Sequence, residues 1–226
     1  MGTHAIPLKA SAPYPVQVRV TPSLDDRNRL TTAFRFILAI PHLLLVGGPI
    51  AAAMTWSRTS EAGVDHSWSA GAGAGALGAV AFVCALIGWF AIVFMGSAPD
   101  GLLKLSAFYL RWRVRASAYV ALLRDEYPPF GDADYPAEVE LPVVVGPRDR
   151  LSVAFRPILV IPHLLAVWAI GFAWGITTII AWFAILFTGR YPRALYQFGT
   201  GALRWTTRVE AYLLLLTDEY PPFTLE

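Results

Sequence analysis

The chain is poor in the groups that soluble enzymes and secreted domains rely on. It has one cysteine, Cys84, inside an apolar run, so no disulfide can form within it. Only 15% of its residues are charged, where a soluble domain carries about a quarter. The net charge of +2 leaves no bulk field to gather nucleic acid. His-Glu-x-x-His, Gly-x-Ser-x-Gly and phosphate-loop lysine motifs are all missing, which removes the commonest routes to hydrolysis and phosphoryl transfer. Residues 73–78, GAGALG, fit G-x-G-x-x-G. They open an apolar run with no strand before it, where small residues serve close helix approach instead. No charged segment followed by an apolar one stands at the N-terminus, so no cleavable signal peptide is expected.

Apolar residues fill the space. They make up 56% of the 226 residues, and the mean hydropathy is +0.51. Three stretches carry no charge: Phe36 to Trp56, residues 70–96, and Pro157 to Gly189. Each is long enough to cross a hydrocarbon core of about 30 Å. Pro41 inside the first is tolerated in a membrane helix.

Much of the chain occurs twice. Residues 89–130 return as residues 182–223, offset by 93, with 22 of 42 positions identical. Residues 14–44 return as residues 135–165, offset by 121, with 16 of 31 identical. The difference between the offsets, 121 − 93 = 28, is an insertion in the middle of copy one. Copy one spans residues 14–130 after a polar tail, residues 1–13, and copy two spans residues 131–226. Each copy opens on a short alternating stretch, YPVQVRV or YPAEVELPVVV, read as a strand. These strands are expected to pair with each other or with the Pro-Pro-Phe tails. Each copy closes on an amphipathic helix, residues 102–123 and 195–216, lying at the interface or inside the bundle.

Residues 157–189 as one helix would measure roughly 50 Å, too long for one crossing. A turn near Gly171 to Gly175 would make two helices. With crossings at 36–56 and 70–96 in copy one, this gives two hairpins and four crossings. Arg58, in the polar loop 57–69, is then the one basic residue of 18 off the common side. The positive-inside rule puts both termini in the cytoplasm of a bacterial inner membrane. Even crossing numbers make the copies parallel repeats about an axis along the membrane normal.

Two residue sets are candidates for function. His42 and His163 stand at matched positions in IPHLL. An ionisable residue in a membrane helix is a functional hypothesis by default. If the two met at the repeat axis, they could hold a haem or a metal between imidazoles. A structural hydrogen bond is the plainer reading. The second set is basic: Arg35, Arg111, Arg115, Arg156, Arg204 and Arg208, all recurring between copies. They can hold lipid phosphates, or pair with Asp125, Glu126, Asp218 and Glu219 of the two DEYPPF motifs. A buried Arg204 would need a carboxylate such as Glu210 or a lipid phosphate beside it. Beyond the two histidines, the apolar runs offer little polarity other than Thr177 and Thr178.

The pattern ILVIPHLL…WFAILFTGRYPRALYQF…LRW…R…AYLLLLTDEYPPF resembles an uncharacterised bacterial membrane-protein family, the domain of unknown function numbered 4389. The resemblance covers residues 151–223 and a diverged copy one, where SAPDG replaces GRYPR. It implies an integral membrane protein and carries no activity or catalytic residue. The expectation is an all-α integral membrane protein of tandem parallel repeats, each a two-crossing hairpin with an amphipathic helix and a short strand. Its expected role is a non-enzymatic scaffold that contacts lipids, other membrane proteins or its own copies, with no nucleic acid and no cofactor. A small transporter or channel at the repeat interface, and a haem or metal redox protein using His42 and His163, are the alternatives.

Overall fold

The computed structural model describes residues 13–48, 75–142 and 148–226. These hold β1 (Gln17–Val20), α1 (Arg29–Ala33), α2 (Arg35–Val46), α3 (Gly75–Met95), α4 (Asp100–Val120), β2 (Ala137–Glu140), α5 (Arg150–Leu159), α6 (Ile161–Thr188) and α7 (Arg193–Leu213). The loop at residues 57–69 and the tail at residues 1–12 lie outside the described residues.

Local chemistry sets the helix ends alike in both copies. The Asn28 side chain accepts from the Thr31 amide at the start of α1, and Asp149 accepts from Leu151 and Ser152 at the start of α5. Both satisfy amides that have no partner within the helix. Helices α4 and α7 end in the same six-residue closure: Leu123 N–H donates to Ala118 O and Leu216 N–H to Ala211 O, each at 2.9 Å. The closure requires a left-handed residue. Leucine fills that place, at Leu122 (φ 63°) and Leu215 (φ 62°).

Copy two does not form a hairpin. Helix α6 runs unbroken for 28 residues, through Gly171 and Gly175, until Gly189 at φ 71° ends it. Glycine inside a helix costs only about 1 kcal/mol against alanine, and no proline or polar turn interrupts the run. Among the described residues each copy therefore holds one long apolar helix, and the hairpin expected of copy two is not formed. In the 36–56 segment, α2 ends at Val46 with Gly47 at φ 71°, and residues 49–56 lie outside the described residues.

The offsets locate the insertion. Val46, the last residue of α2, corresponds to Val167, and Gly75, the first of α3, corresponds to Trp168. Those two are consecutive residues of α6. Residues 47–74 therefore interrupt what copy two keeps as a single helix. The cut ends still meet. A Cβ added to Gly75 would lie 2.5 Å from the Leu45 carbonyl and 2.6 Å from the Gly47 nitrogen. With φ at 72° as well, only glycine fits there.

The copies interlock. The turn before the first helix of copy two sits at the end of α3, where Arg148 N–H donates to Gly96 O at 3.0 Å. The turn before the first helix of copy one sits at the end of α6, where Arg27 N–H donates to Gly189 O at 3.0 Å. The Trp89 indole donates to Val153 O at 2.8 Å and the matched Trp182 to Thr32 O at 2.9 Å. Strands β1 and β2 pair antiparallel, with Val18 opposite Val139. These two are equivalent at offset 121, so a pseudo-twofold axis passes through that pair.

Three layers result. The sheet buries Val16, Val18, Val20, Ala137 and Val139 against α4 and α7, which form the middle layer. Helices α3 and α6 rest on the middle layer by single stripes, Gly78–Ala81–Cys84–Gly88–Ile92 and His163–Gly171–Trp174–Thr178–Ala181–Ile185. The amphipathic segments thus lie inside the structure rather than at its edge.

Candidate functional site

Four arginines, Arg27, Arg35, Arg148 and Arg156, collect into two matched clusters at the ends of α4 and α7. Arg35 Nη1 donates to the carbonyls of Tyr119, at 3.1 Å, and Arg124, and its Nη2 donates to Asp125 Oδ1 at 2.6 Å. Arg27 joins it, donating to the same carboxylate at 2.7 Å and to Leu122 O at 2.6 Å. Copy two repeats this. Arg156 donates to Tyr212 O, Thr217 O and Asp218 Oδ1 at 2.9, 3.0 and 2.8 Å. Arg148 donates to Asp218 and to Leu215 O. Arg35 lies 4.3 Å from the Tyr119 ring and Arg156 4.2 Å from the Tyr212 ring.

Chemically, each cluster is a charged helix stop. The final carbonyls of a helix carry partial negative charge, and the guanidinium groups satisfy them. One aspartate balances two arginines. Burial alone would raise the Asp125 carboxyl, but Arg27 and Arg35 outweigh it and hold it below its ordinary value of 3.8. Asp218 is held down in the same way, against burial, by Arg148 and Arg156. A carboxyl depressed in the folded state contributes stability that is complete above its unfolded pKa. That stability is lost as pH falls through the folded value. The thermal midpoint in detergent should therefore fall below about pH 4. An Asp125→Asn/Asp218→Asn variant, already destabilised at neutral pH, should lose much of that acid limb.

Arg27 and Arg148 were missed in the sequence, where they read as charged turn residues. Their recurrence at offset 121 was the available signal. Glu126 pairs with Arg124 instead of a predicted arginine. Among the described residues Glu219 makes no ion pair, and its carbonyl accepts from the Tyr14 hydroxyl at 2.9 Å.

The histidines sit in separate aromatic boxes. The His42 ring stacks on Phe130 at 4.5 Å, with Tyr127 and Trp112 around it. His163 stacks on Phe223 at 3.9 Å, with Tyr220 and Trp205. Both are fully buried, and the boxes share no residue. Trp112 Nε1–H donates to His42 Nδ1 at 3.0 Å, which assigns the remaining proton to Nε2. His163 and Trp205 take the same placement without a bond, and their ring nitrogens have no partner. Such residues do not fit a haem or metal between two imidazoles, since one imidazole spends its lone pair on an indole and each is stacked by phenylalanine. No group of three or more His, Cys, Asp or Glu stands together among the described residues.

Symmetry breaks at the axis. Arg113 Nε meets Glu210 Oε2 at 2.8 Å, and the Tyr109 hydroxyl donates to Glu210 Oε1 at 3.0 Å. The matched positions hold Thr206, Ser117 and Ala202, so the ion pair is made once. Arg113 Nη1 also donates to Val46 O at 2.8 Å. That carbonyl ends α2, and the insertion has taken away the amide that would have followed it. Its counterpart Val167 lies inside unbroken α6 and needs no cation. Arg113 thus repairs the cut helix, and Glu210 neutralises Arg113 rather than Arg204. Beside them is a cavity of about 20 Å³ lined by Arg113, Ser117, Trp174, Thr206, Thr207 and Glu210, room for a water molecule.

The remaining predicted arginines also differ between copies. Arg111 and Arg115 approach Asp132 at 3.6 and 3.2 Å. In copy two the matched position is Leu225. There Arg204 donates to Val18 O at 3.3 Å and Arg208 lies 5.5 Å from the Tyr14 ring.

The geometry defines a duplicated helical protein with two apolar helices long enough to cross a membrane. The family model described as Domain of unknown function (DUF4389) matches residues 73–131 and 150–224. The matched segments cover more than half of the chain as two consecutive copies, and the chain belongs to this family. The first match begins where the insertion ends. No curated protein and no solved structure matches the chain.

Proposed function

We propose that the chain is a non-enzymatic membrane scaffold of the bacterial inner membrane, holding lipid or a membrane partner against its apolar helices. One observation carries this reading. Only 28% of the apolar window of α3 is buried, and the same share of α6. The core helix of a soluble protein would be mostly covered. Here Phe82, Phe90, Phe94, Phe172, Ile179 and Phe187 point outward, and exposed apolar surface on this scale marks a membrane or protein contact. The described polar groups are committed largely to internal caps, which favours a scaffold over a catalyst. Both termini fall on one side in this reading, supported by the bond between Tyr14 and Glu219 near the two ends of the described chain.

Fractionation tests it. The expressed protein should stay in the membrane pellet through high salt and alkaline carbonate and leave it only in detergent. Recovery in the soluble fraction, or release by carbonate, would contradict membrane embedding.

A further inference from the structure

We propose that the protein enters the bilayer from one side only, with α3 and α6 lying across the membrane plane as two apolar runners instead of crossing it. The proposal rests on the membrane reading above and adds an orientation to it.

Direction comes first. Helix α4 starts just after Gly96, the end of α3. It finishes at Val120, two residues before Leu122, whose carbonyl Arg27 binds while the Arg27 amide holds Gly189, the end of α6. The hydroxyl of Tyr191, two residues past Gly189, donates to Ala121 O at 3.4 Å. A helix of 21 residues is about 30 Å long. The ends of α3 and α6 therefore lie at opposite ends of α4, and the two helices run antiparallel about the pseudo-twofold axis.

Two antiparallel helices related by a twofold can meet a bilayer in two ways. If they cross it, the axis lies in the membrane plane. Everything on the axis then sits at mid-bilayer. If they lie in the interface, the axis is the membrane normal. The sheet decides between these, because the axis passes through its Val18–Val139 pair.

The sheet's outer face is charged. It carries Arg19 paired with Glu140 at 2.8 Å, with side chains 70% and 57% exposed, and Glu138 beside them. Exposed charges at the hydrocarbon centre are strongly unfavourable. The bare backbone edges of a two-stranded sheet would be unsatisfied there as well. Crossing is thereby disfavoured.

The second orientation fits the layers. On α7, Gly199, Thr206 and Glu210 face Trp174 of α6. Arg204 and Arg208, roughly half a turn round the helix, face β1 and Tyr14. The apolar helices and the charged sheet thus lie on opposite faces of the α4–α7 layer. With the axis along the normal, α3 and α6 enter the lipid and the sheet stays in water. Exposed Leu30 on α1, Phe34 between α1 and α2, and Leu151 and Phe155 on α5 add apolar surface to that of α3 and α6. The 28-residue length of α6, about 42 Å, then needs no match to bilayer thickness.

Membrane-impermeant maleimide labelling tests this. In a Cys84→Ala background, Ser97→Cys marks the end of α3 and Arg190→Cys the end of α6, both exposed positions. One-sided insertion predicts that both cysteines react from the same side. Each should be labelled fully in inverted vesicles and at background in intact spheroplasts, or both the reverse. Crossing helices would put the two on opposite sides, and that pattern would overturn the proposal. If either variant misfolds, Asp100→Cys and Asp25→Cys, near the same two ends, replace them with the same expected and contradicting patterns. Recovery of the protein in the soluble fraction would instead defeat the membrane reading itself, so the two failures are distinct.

Discussion

Asp125→Ala should lower the stability of the detergent-solubilised protein by about 3–5 kcal/mol, the usual loss when one partner of a buried ion cluster is removed. The carboxylate is the counter-charge to Arg27 and Arg35, whose side chains are wholly buried. Without it two guanidinium groups remain beside the end of α4 with only carbonyls to face. Asp218→Ala should cost less, because its side chain is 40% exposed against 21% for Asp125, and water can screen the orphaned arginines. Thermal or denaturant unfolding of both variants checks the magnitude and the order. A loss below about 1 kcal/mol for Asp125→Ala would mean that these caps are incidental.

The second large effect concerns the cut helix. Arg113→Thr gives copy one the residue that copy two carries. It should destabilise the full chain by about 3 kcal/mol, because it leaves the Val46 carbonyl without its donor and the Glu210 carboxylate without its counter-charge. The Arg113→Thr/Glu210→Ser pair removes the unpaired charge and should cost about 2 kcal/mol, the share of the orphaned Val46 carbonyl and of the Tyr109 hydroxyl that loses Glu210. Deleting residues 47–74 joins Val46 to Gly75, so that the Gly78 amide can close the helix as Gly171 does in copy two. In that background the double substitution should cost less, because only the Tyr109 hydroxyl is then left without its partner. The difference between backgrounds isolates the coupling between Arg113 and the helix break. Equal costs in both would show that Arg113 serves something other than Val46.

The duplication made part of this site readable. Arg35, Arg156, Asp125 and Asp218 recur in long identical blocks, and an arginine beside a helix-end carboxylate is the natural pairing. Arg27 and Arg148 recur too, but within segments whose other residues differ, and they looked like solvent-facing turn charges. Which arginine meets Glu210 was not readable. The answer depends on a carbonyl that only the interruption of a helix exposes. The axis site also breaks the repeat, so comparing the copies gave no hint of a pair.

The error over residues 157–189 has a physical root. A 33-residue uncharged run was measured against bilayer thickness, as though its helix had to stand along the membrane normal. Gly171 and Gly175 then looked like a turn. A helix resting on α7 is under no such limit, and the close approach is made from α7, where a Cβ on Gly199 would lie 3.1 Å from the Trp174 ring. Hydropathy marked α3 and α6 as apolar and was silent on their direction. Direction came from the interlocking of the copies, which no single stretch of sequence carries.

The central claim is that α3 and α6 face lipid while the sheet and the solvent side of α4 face water. Nitroxide scanning of the reconstituted protein in the Cys84→Ala background tests it most directly. Spin labels at Phe82, Phe90, Ile180 and Phe187 should collide with oxygen and be shielded from a water-soluble nickel chelate. Labels at Lys104, Glu138 and Glu140 should behave in the opposite way. Nickel access along α3 and α6 equal to that at Glu138 would contradict the account, and the apolar helices would then need a protein cover instead of a lipid one.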